Sequence, residues 1–120
     1  MSECIIYHNP RCSKSREALD LLTRHGIETV IIDYLKTPLN LAQLTQLSAH
    51  FDFKDFVRHN DPLFRELNLS LTDEPGILNA MLKAPILMQR PIVTYRNKTI
   101  IARPPEKVVL LIKATGDYSC

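Results

Sequence analysis

The chain opens with a strand, a helix and a second strand in direct succession, and that order leaves few folds open. Cys4-Ile5-Ile6-Tyr7 is a short apolar run of strand-forming residues. Asn9-Pro10 marks a turn after it, because proline biases the residue before it away from helical dihedrals. From Ser13 the pattern changes to helical spacing. Ala18, Leu21 and Leu22 recur on one face, with Arg16, Asp20, Thr23 and Arg24 available for a wetter one. Gly26 stands where such a helix stops, and Val30-Ile31-Ile32 supplies the second strand. Two strands joined by a helix lie parallel, with a right-handed crossover.

The middle of the chain reads differently. Asn40 is placed to cap a helix carrying Leu41, Leu44 and Leu47, and Phe51, Phe53 and Phe56 are expected to pack on it. Asn60-Asp61-Pro62 breaks the chain, and Phe64 and Leu67 suggest a short helical turn. Thr72-Asp73-Glu74-Pro75 starts another helix, with Ile77, Leu78, Met81 and Leu82 as its apolar stripe, and Pro85 ends it. Residues 38–84 are therefore expected to be a helical insertion, too poor in apolar mass for a second core. Ile92–Tyr95 and Lys98–Ile101 then form a hairpin about Arg96-Asn97, without the strongest Asn-Gly signal. Pro104-Pro105 opens a last helix with Val108, Leu111 and Ile112 inward. The expected architecture is a single α/β domain over residues 1–120: a four-stranded mixed sheet with helices against it and a helical insertion.

Composition excludes several classes of protein. Apolar residues make up 45% of the 120, which excludes wholesale disorder. A net charge of +2, with both signs mixed along the chain, gives no nucleic-acid footprint, and no nucleic-acid partner is expected. No stretch reaches the roughly 20 apolar residues of a membrane span, and the N-terminal residues carry no signal-like run. The cysteines are Cys4, Cys12 and Cys120, an odd and sparse set unlike a secreted disulfide framework. His8 and Cys12 lack further residues at metal-ligand spacing, so no metal is expected. A cytoplasmic monomer without a bound cofactor is the resulting expectation.

Cys12 is the first candidate for chemistry. It closes the run Tyr7-His8-Asn9-Pro10-Arg11-Cys12 at the mouth of a helix, between Arg11 and Lys14. Unsatisfied N–H groups and partial positive charge at a helix N-terminus favour a thiolate, the reactive form, and also favour a bound anion. Ser13 and Ser15 are candidate caps for that helix, and Ser15 is placed to donate to Cys12. His8 is either a proton donor or a brace for the loop, and Asn9 is a turn-former. Arg58, Arg90 and Arg103 each sit at a structural junction. If they converge on Cys12 they form a guanidinium cage for a tetrahedral oxyanion, because arginine stays ionised and bonds such groups in a fork. Cys4 reads as packing. Cys120 reads as an incidental thiol, or a resolving one if the tail folds back.

These motifs resemble the glutaredoxin-coupled arsenate reductase family, which has a thioredoxin-like fold. The similarity covers residues 3–113. It rests on Ile6-Tyr7-His8-Asn9-Pro10-Arg11-Cys12-Ser13-Lys14-Ser15-Arg16, on Phe56-Val57-Arg58-His59-Asn60, on Pro85 through Val93, and on Ile101-Ala102-Arg103-Pro104-Pro105-Glu106. The resemblance implies a thioredoxin/glutaredoxin-like fold, Cys12 as catalytic nucleophile, and Arg58, Arg90 and Arg103 as the oxyanion-binding set. It implies His8, Asn9 and Ser15 in support, and a cis peptide before Pro91. It further implies arsenate as substrate, glutathione as co-substrate and glutaredoxin as partner. A glutathione-dependent thiol–disulfide oxidoreductase and an RNA-polymerase-binding regulator are the alternatives. The regulator branch often uses Cys-x-x-Cys, and here Ser15 replaces its second cysteine.

Overall fold

Strand β1 (Cys4–His8) lies at the centre of a four-stranded sheet whose order is β2-β1-β3-β4. The structure, a computed structural model, describes residues 4–114; the tail carrying Cys120 lies outside the described residues. β1 pairs in parallel with β2 (Thr29–Asp33), with Cys4 opposite Thr29 and His8 opposite Asp33. On its other side β1 pairs antiparallel with β3 (Ile92–Tyr95), which pairs antiparallel with β4 (Lys98–Ile101). The sheet is therefore mixed and the fold α/β, as the pattern of the sequence requires.

The parallel β1–β2 pair is joined by α1 (Ser13–Arg24). Ala18 and Leu22 face inward from it and are fully buried. Gly26 takes φ +71°, the left-handed turn that ends the helix and returns the chain to β2. The β3–β4 hairpin turns on Arg96 and Asn97, both at positive φ (48° and 70°), which matches the right-handed twist of the strands. The last helix, α6 (Lys107–Ala114), packs on α1. Cys4, Ile6, Ala18, Leu22, Val93, Tyr95, Ala102, Val108, Leu111 and Ile112 form one core. Cys4 is part of it, as its apolar strand suggests.

Chain contacts divide the protein into one unit of Met1–Asp33 with Arg90–Cys120, and a second of Tyr34–Gln89. The second unit is helical and extends past both bounds of the expected 38–84 insertion. It holds α2 (Leu41–Ser48), α3 (Phe53–Phe56), α4 (Pro62–Glu66), α5 (Glu74–Lys83) and a 3-10 turn at Pro85–Leu87. Asn40 caps α2 in a reciprocal capping box with Gln43. Asp73 caps α5 by accepting from the Gly76 N–H. Phe51 and Phe53 both pack against the buried Phe56 ring. Pro85 ends α5, but the chain continues through the 3-10 turn and buries Leu87 and Met88. Among the described residues no helix is long and apolar enough to cross a membrane.

Candidate active site

The turn from β1 into α1 is built by Asn9. Its carbonyl accepts from the Cys12 N–H at 3.0 Å and its side-chain oxygen from the Arg11 N–H at 3.0 Å. The Arg16 guanidinium donates back to the Pro10 carbonyl at 2.9 Å and ties the loop to the first turn of α1. Cys12 is thereby held at the N-cap position with extended dihedrals (φ −92°, ψ 122°). An N-cap side chain normally accepts from the free N–H groups two or three residues on. The sulfur occupies that place. It makes no capping bond of full hydrogen-bond geometry, yet the Ser15 and Lys14 N–H groups lie close enough to favour its anion.

The Cys12 thiol is shifted below its ordinary value. Partial burial pushes it up, and this is the largest single influence. It is outweighed by the Ser15 N–H, the Arg90 charge, the Lys14 N–H and a hydrogen bond from the Arg90 side chain acting together. The charges of Arg11 and Lys14, which flank the thiol in sequence, are not among these causes; both side chains point into solvent. Lys14 acts through its main chain instead.

Arg90 and Arg103 come to Cys12 from the ends of β3 and β4. Arg103 Nη1 lies 4.0 Å from Cys12 Sγ and donates to the Arg90 carbonyl at 3.1 Å. The Arg90–Pro91 peptide is cis. So is Arg103–Pro104, which the reading of the sequence did not single out. The Ala102 N–H donates to the Pro91 carbonyl at 2.9 Å and fastens the two arginine-bearing segments together. Among the described residues, no group of three or more His, Cys, Asp or Glu is placed to hold a metal ion.

Behind the thiol lies a buried polar cluster. Ser15 is fully buried, and His8 and Asn9 nearly so. Neither Ser13 nor Ser15 caps α1. The Ser15 hydroxyl does not turn toward Cys12 either: it stands 2.6 Å from His8 Nδ1 and accepts from the Asn9 N–H at 3.0 Å. Its position on the inner face of α1 carries the hydroxyl toward the end of β1, away from the sulfur. Burial lowers the His8 pKa; the Asp33 charge opposes this and the Arg16 charge adds to it. Asp33 was not among the residues that the sequence singled out. The signal was available, because parallel pairing of the two strands sets the last residues of both side by side.

Arg58 belongs to the helical unit. Its Nη1 donates to the Ile86 carbonyl at 3.2 Å, its Nη2 is 3.5 Å from Asp61 Oδ2, and its N–H donates to the Leu87 carbonyl at 2.7 Å. These bonds fix the root and the head of the side chain within that unit.

The features define a class: a thioredoxin-like α/β protein with an activated thiol at a helix N-terminus and two guanidinium groups beside it. A family model described as "ArsC family" matches residues 7–110, and the chain belongs to that family. It is 43% identical to the uncharacterized protein YfgD of Escherichia coli K12, over 89% of this chain and 94% of that one. It is 38% identical to a protein of Neisseria meningitidis named arsenate reductase, over 90% of this chain and 97% of the relative. The structure resembles that of an arsenate reductase from Vibrio cholerae with a TM-score of 0.81 and 37% identity, covering 89% of this chain and 95% of that one.

Proposed function

We propose that the protein is an arsenate reductase, a cytoplasmic monomer that draws its electrons from glutathione and glutaredoxin. The observation that carries the reading is the pairing of an activated thiol with guanidinium groups: Arg103 stands 4.0 Å from Cys12 Sγ, and Arg90 stabilises its anion. A tetrahedral oxyanion needs these two things at one place, positive donors to hold it and a nucleophile to attack it. The assignment of Arg58 to the same oxyanion is supported by the sequence match at Phe56-Val57-Arg58-His59-Asn60. The match to the Neisseria relative over nearly its full length supports the reading for a chain as short as this.

In the proposed cycle the Cys12 thiolate attacks arsenic, and one arsenate oxygen leaves as water after taking up protons. Glutathione adds its thiolate to the Cys12-bound arsenic, and a second oxygen leaves as water. Glutaredoxin then attacks the glutathione sulfur. The electron pair of the arsenic–sulfur bond passes to arsenic, which falls from the +5 to the +3 state, and a mixed disulfide forms between glutaredoxin and glutathione. Water releases arsenite and returns Cys12 as a thiol. In net terms one arsenate and two thiols become one arsenite, one disulfide and one water. Ser15 at the place of a second local cysteine supports an external supply of thiols.

The test is NADPH oxidation that depends on arsenate, in the presence of glutathione, glutaredoxin and glutathione reductase, comparing wild type with Cys12→Ser. Turnover that requires Cys12 supports the assignment. Its absence with competent coupling proteins, or deglutathionylation of a model disulfide without arsenate turnover, overturns it.

A further inference from the structure

We propose that Asp33 is a positioning residue for the site: it holds the His8 imidazole with its proton on Nε2, so that Nδ1 accepts from the Ser15 hydroxyl and pins the helix turn whose N–H groups face Cys12. The inference deepens the reading above and rests on Cys12 acting as a thiolate.

The protons around Ser15 can be counted. The Ser15 hydroxyl has one proton to give and two lone pairs to offer. The Asn9 N–H, 3.0 Å away, uses one lone pair. The remaining partner of the oxygen is His8 Nδ1 at 2.6 Å. With the imidazole proton on Nε2, the hydroxyl donates to Nδ1 while accepting from the Asn9 N–H, and its own proton has an acceptor. With the proton on Nδ1, the hydroxyl would only accept, and its own proton would lack an acceptor in a fully buried position.

The other end of the ring gives the same answer. His8 and Asp33 are register partners at the ends of the parallel strands β1 and β2, and residues so paired project from the same side of the sheet. Nδ1 is committed to Ser15, so the nitrogen left to respond to the carboxylate is Nε2. A protonated Nε2 is attracted by the Asp33 charge and a bare lone pair is repelled. The charged groups acting on the ring are Asp33 from β2 and Arg16 from α1; the β3 residue opposite Tyr7 is Ile92, which does not titrate. Asp33 thus acts on Cys12 at third hand, through the ring, the Ser15 hydroxyl and the Ser15 main chain.

The test combines two readouts, neither of which uses arsenate. Nitrogen chemical shifts of the His8 ring, assigned against His8→Gln, report the tautomer. Iodoacetamide alkylation at Cys12, followed by peptide mass across pH, reports the thiolate. Wild type is expected to show a bare Nδ1 and a protonated Nε2 above neutral pH. Asp33→Ala should mix the tautomers and slow Cys12 alkylation at pH 7 by roughly threefold, whereas Asp20→Asn on the exposed face of α1 should change neither. Asp33→Asn removes the charge and keeps the size of the side chain, so the ring should protonate at lower pH than in wild type. A proton on Nδ1 in the wild type, or an Asp33→Ala protein with unchanged tautomer and alkylation profile, overturns the proposal. If Asp33→Ala does not fold, an unchanged His8 titration in Asp33→Asn overturns it instead. Failure of arsenate turnover with both readouts as expected would remove the assigned substrate and leave this role standing.

Discussion

Arg103 reaches two parts of the site at once, with Nη1 4.0 Å from Cys12 Sγ and 3.1 Å from the Arg90 carbonyl. The second bond fixes the head of a long side chain that would otherwise lose much entropy when it met a ligand. The guanidinium is thereby oriented before any anion arrives. Its fork, not its charge alone, is what the bond to Arg90 sets in place. Arg103→Lys is therefore expected to fail almost as badly as Arg103→Ala. Each should lower kcat/KM for arsenate by about two orders of magnitude, the usual cost of losing one preorganised donor. Thermal unfolding should move little, because Arg103 is partly exposed. Steady-state kinetics on both variants, with melting curves as control, check this.

The Cys12 shift has a sign that can be followed in stability. A thiol whose pKa is lowered on folding binds fewer protons in the native state than in the unfolded one. The stabilisation is then fully present above the unfolded value, close to 9.0, and is lost as pH falls through the lower folded value. His8 is also lowered, from 6.5, so it too holds fewer protons when folded. Its effect is a loss of stability as pH falls below that value. Cys12→Ser should thus lose ground to wild type progressively from neutral to alkaline pH. His8→Gln should flatten the acid side of the wild-type profile. Urea denaturation at several pH values separates the two, and a parallel pH profile for Cys12→Ser and wild type would contradict the first.

Much of this site could be read from the chain, and the reasons differ by residue. The β1–α1–β2 order and the Asn9-Pro10 turn are local signals, so the placing of Cys12 at a helix mouth followed from them. Arg90 and Arg103 were singled out through motifs before prolines, and the β3–β4 pairing brings them to the thiol. The cause of the thiol's activation was legible in part: the free N–H groups of a helix start were expected to favour the anion, and those of Ser15 and Lys14 do. Neighbours in sequence suggested Arg11 and Lys14, but a helix mouth turns consecutive side chains outward while its N–H groups converge inward. Ser15 was misplaced for the same reason: a serine near a helix start suggests a cap, yet position within the turn points its hydroxyl at His8. Asp33 lay within reach of the expected parallel β1–β2 pairing, and the register that sets it opposite His8 brings it to the ring.

Ser15 carries more of the stability than its size suggests. Its hydroxyl serves two buried groups, His8 Nδ1 and the Asn9 N–H. Ser15→Ala leaves both without a partner and should cost about 2 kcal/mol, the penalty for stranding buried polar groups. Ser15→Thr keeps the hydroxyl but adds a methyl where the side chain is fully buried, so it should restore the bonds at the expense of packing. Chemical denaturation orders the three proteins wild type, threonine, alanine if hydrogen bonding dominates. The reverse order of the two variants would show that packing does.

The β3–β4 hairpin offers a change in the opposite direction. Arg96 and Asn97 both adopt positive φ, at 48° and 70°. Asparagine tolerates that region and arginine does not favour it. Asn-Gly meets the demand of such a turn better than Arg-Asn. The double substitution Arg96→Asn with Asn97→Gly removes the unfavourable dihedral at the first position. It also gives up the Arg96 guanidinium packed 5.3 Å from the centre of the Tyr95 ring. A contact of that kind at an exposed site contributes about 0.5–1 kcal/mol, while an L-residue held left-handed costs about 1–2 kcal/mol. The backbone effect is the larger, so the double variant should be more stable by about 0.5–1 kcal/mol. The turn lies at the far end of β3 from Arg90, so arsenate turnover should stay at the wild-type level. Urea midpoints and the coupled assay, measured on the same preparations, test both halves. A lower midpoint would mean that the ring contact outweighs the dihedral strain.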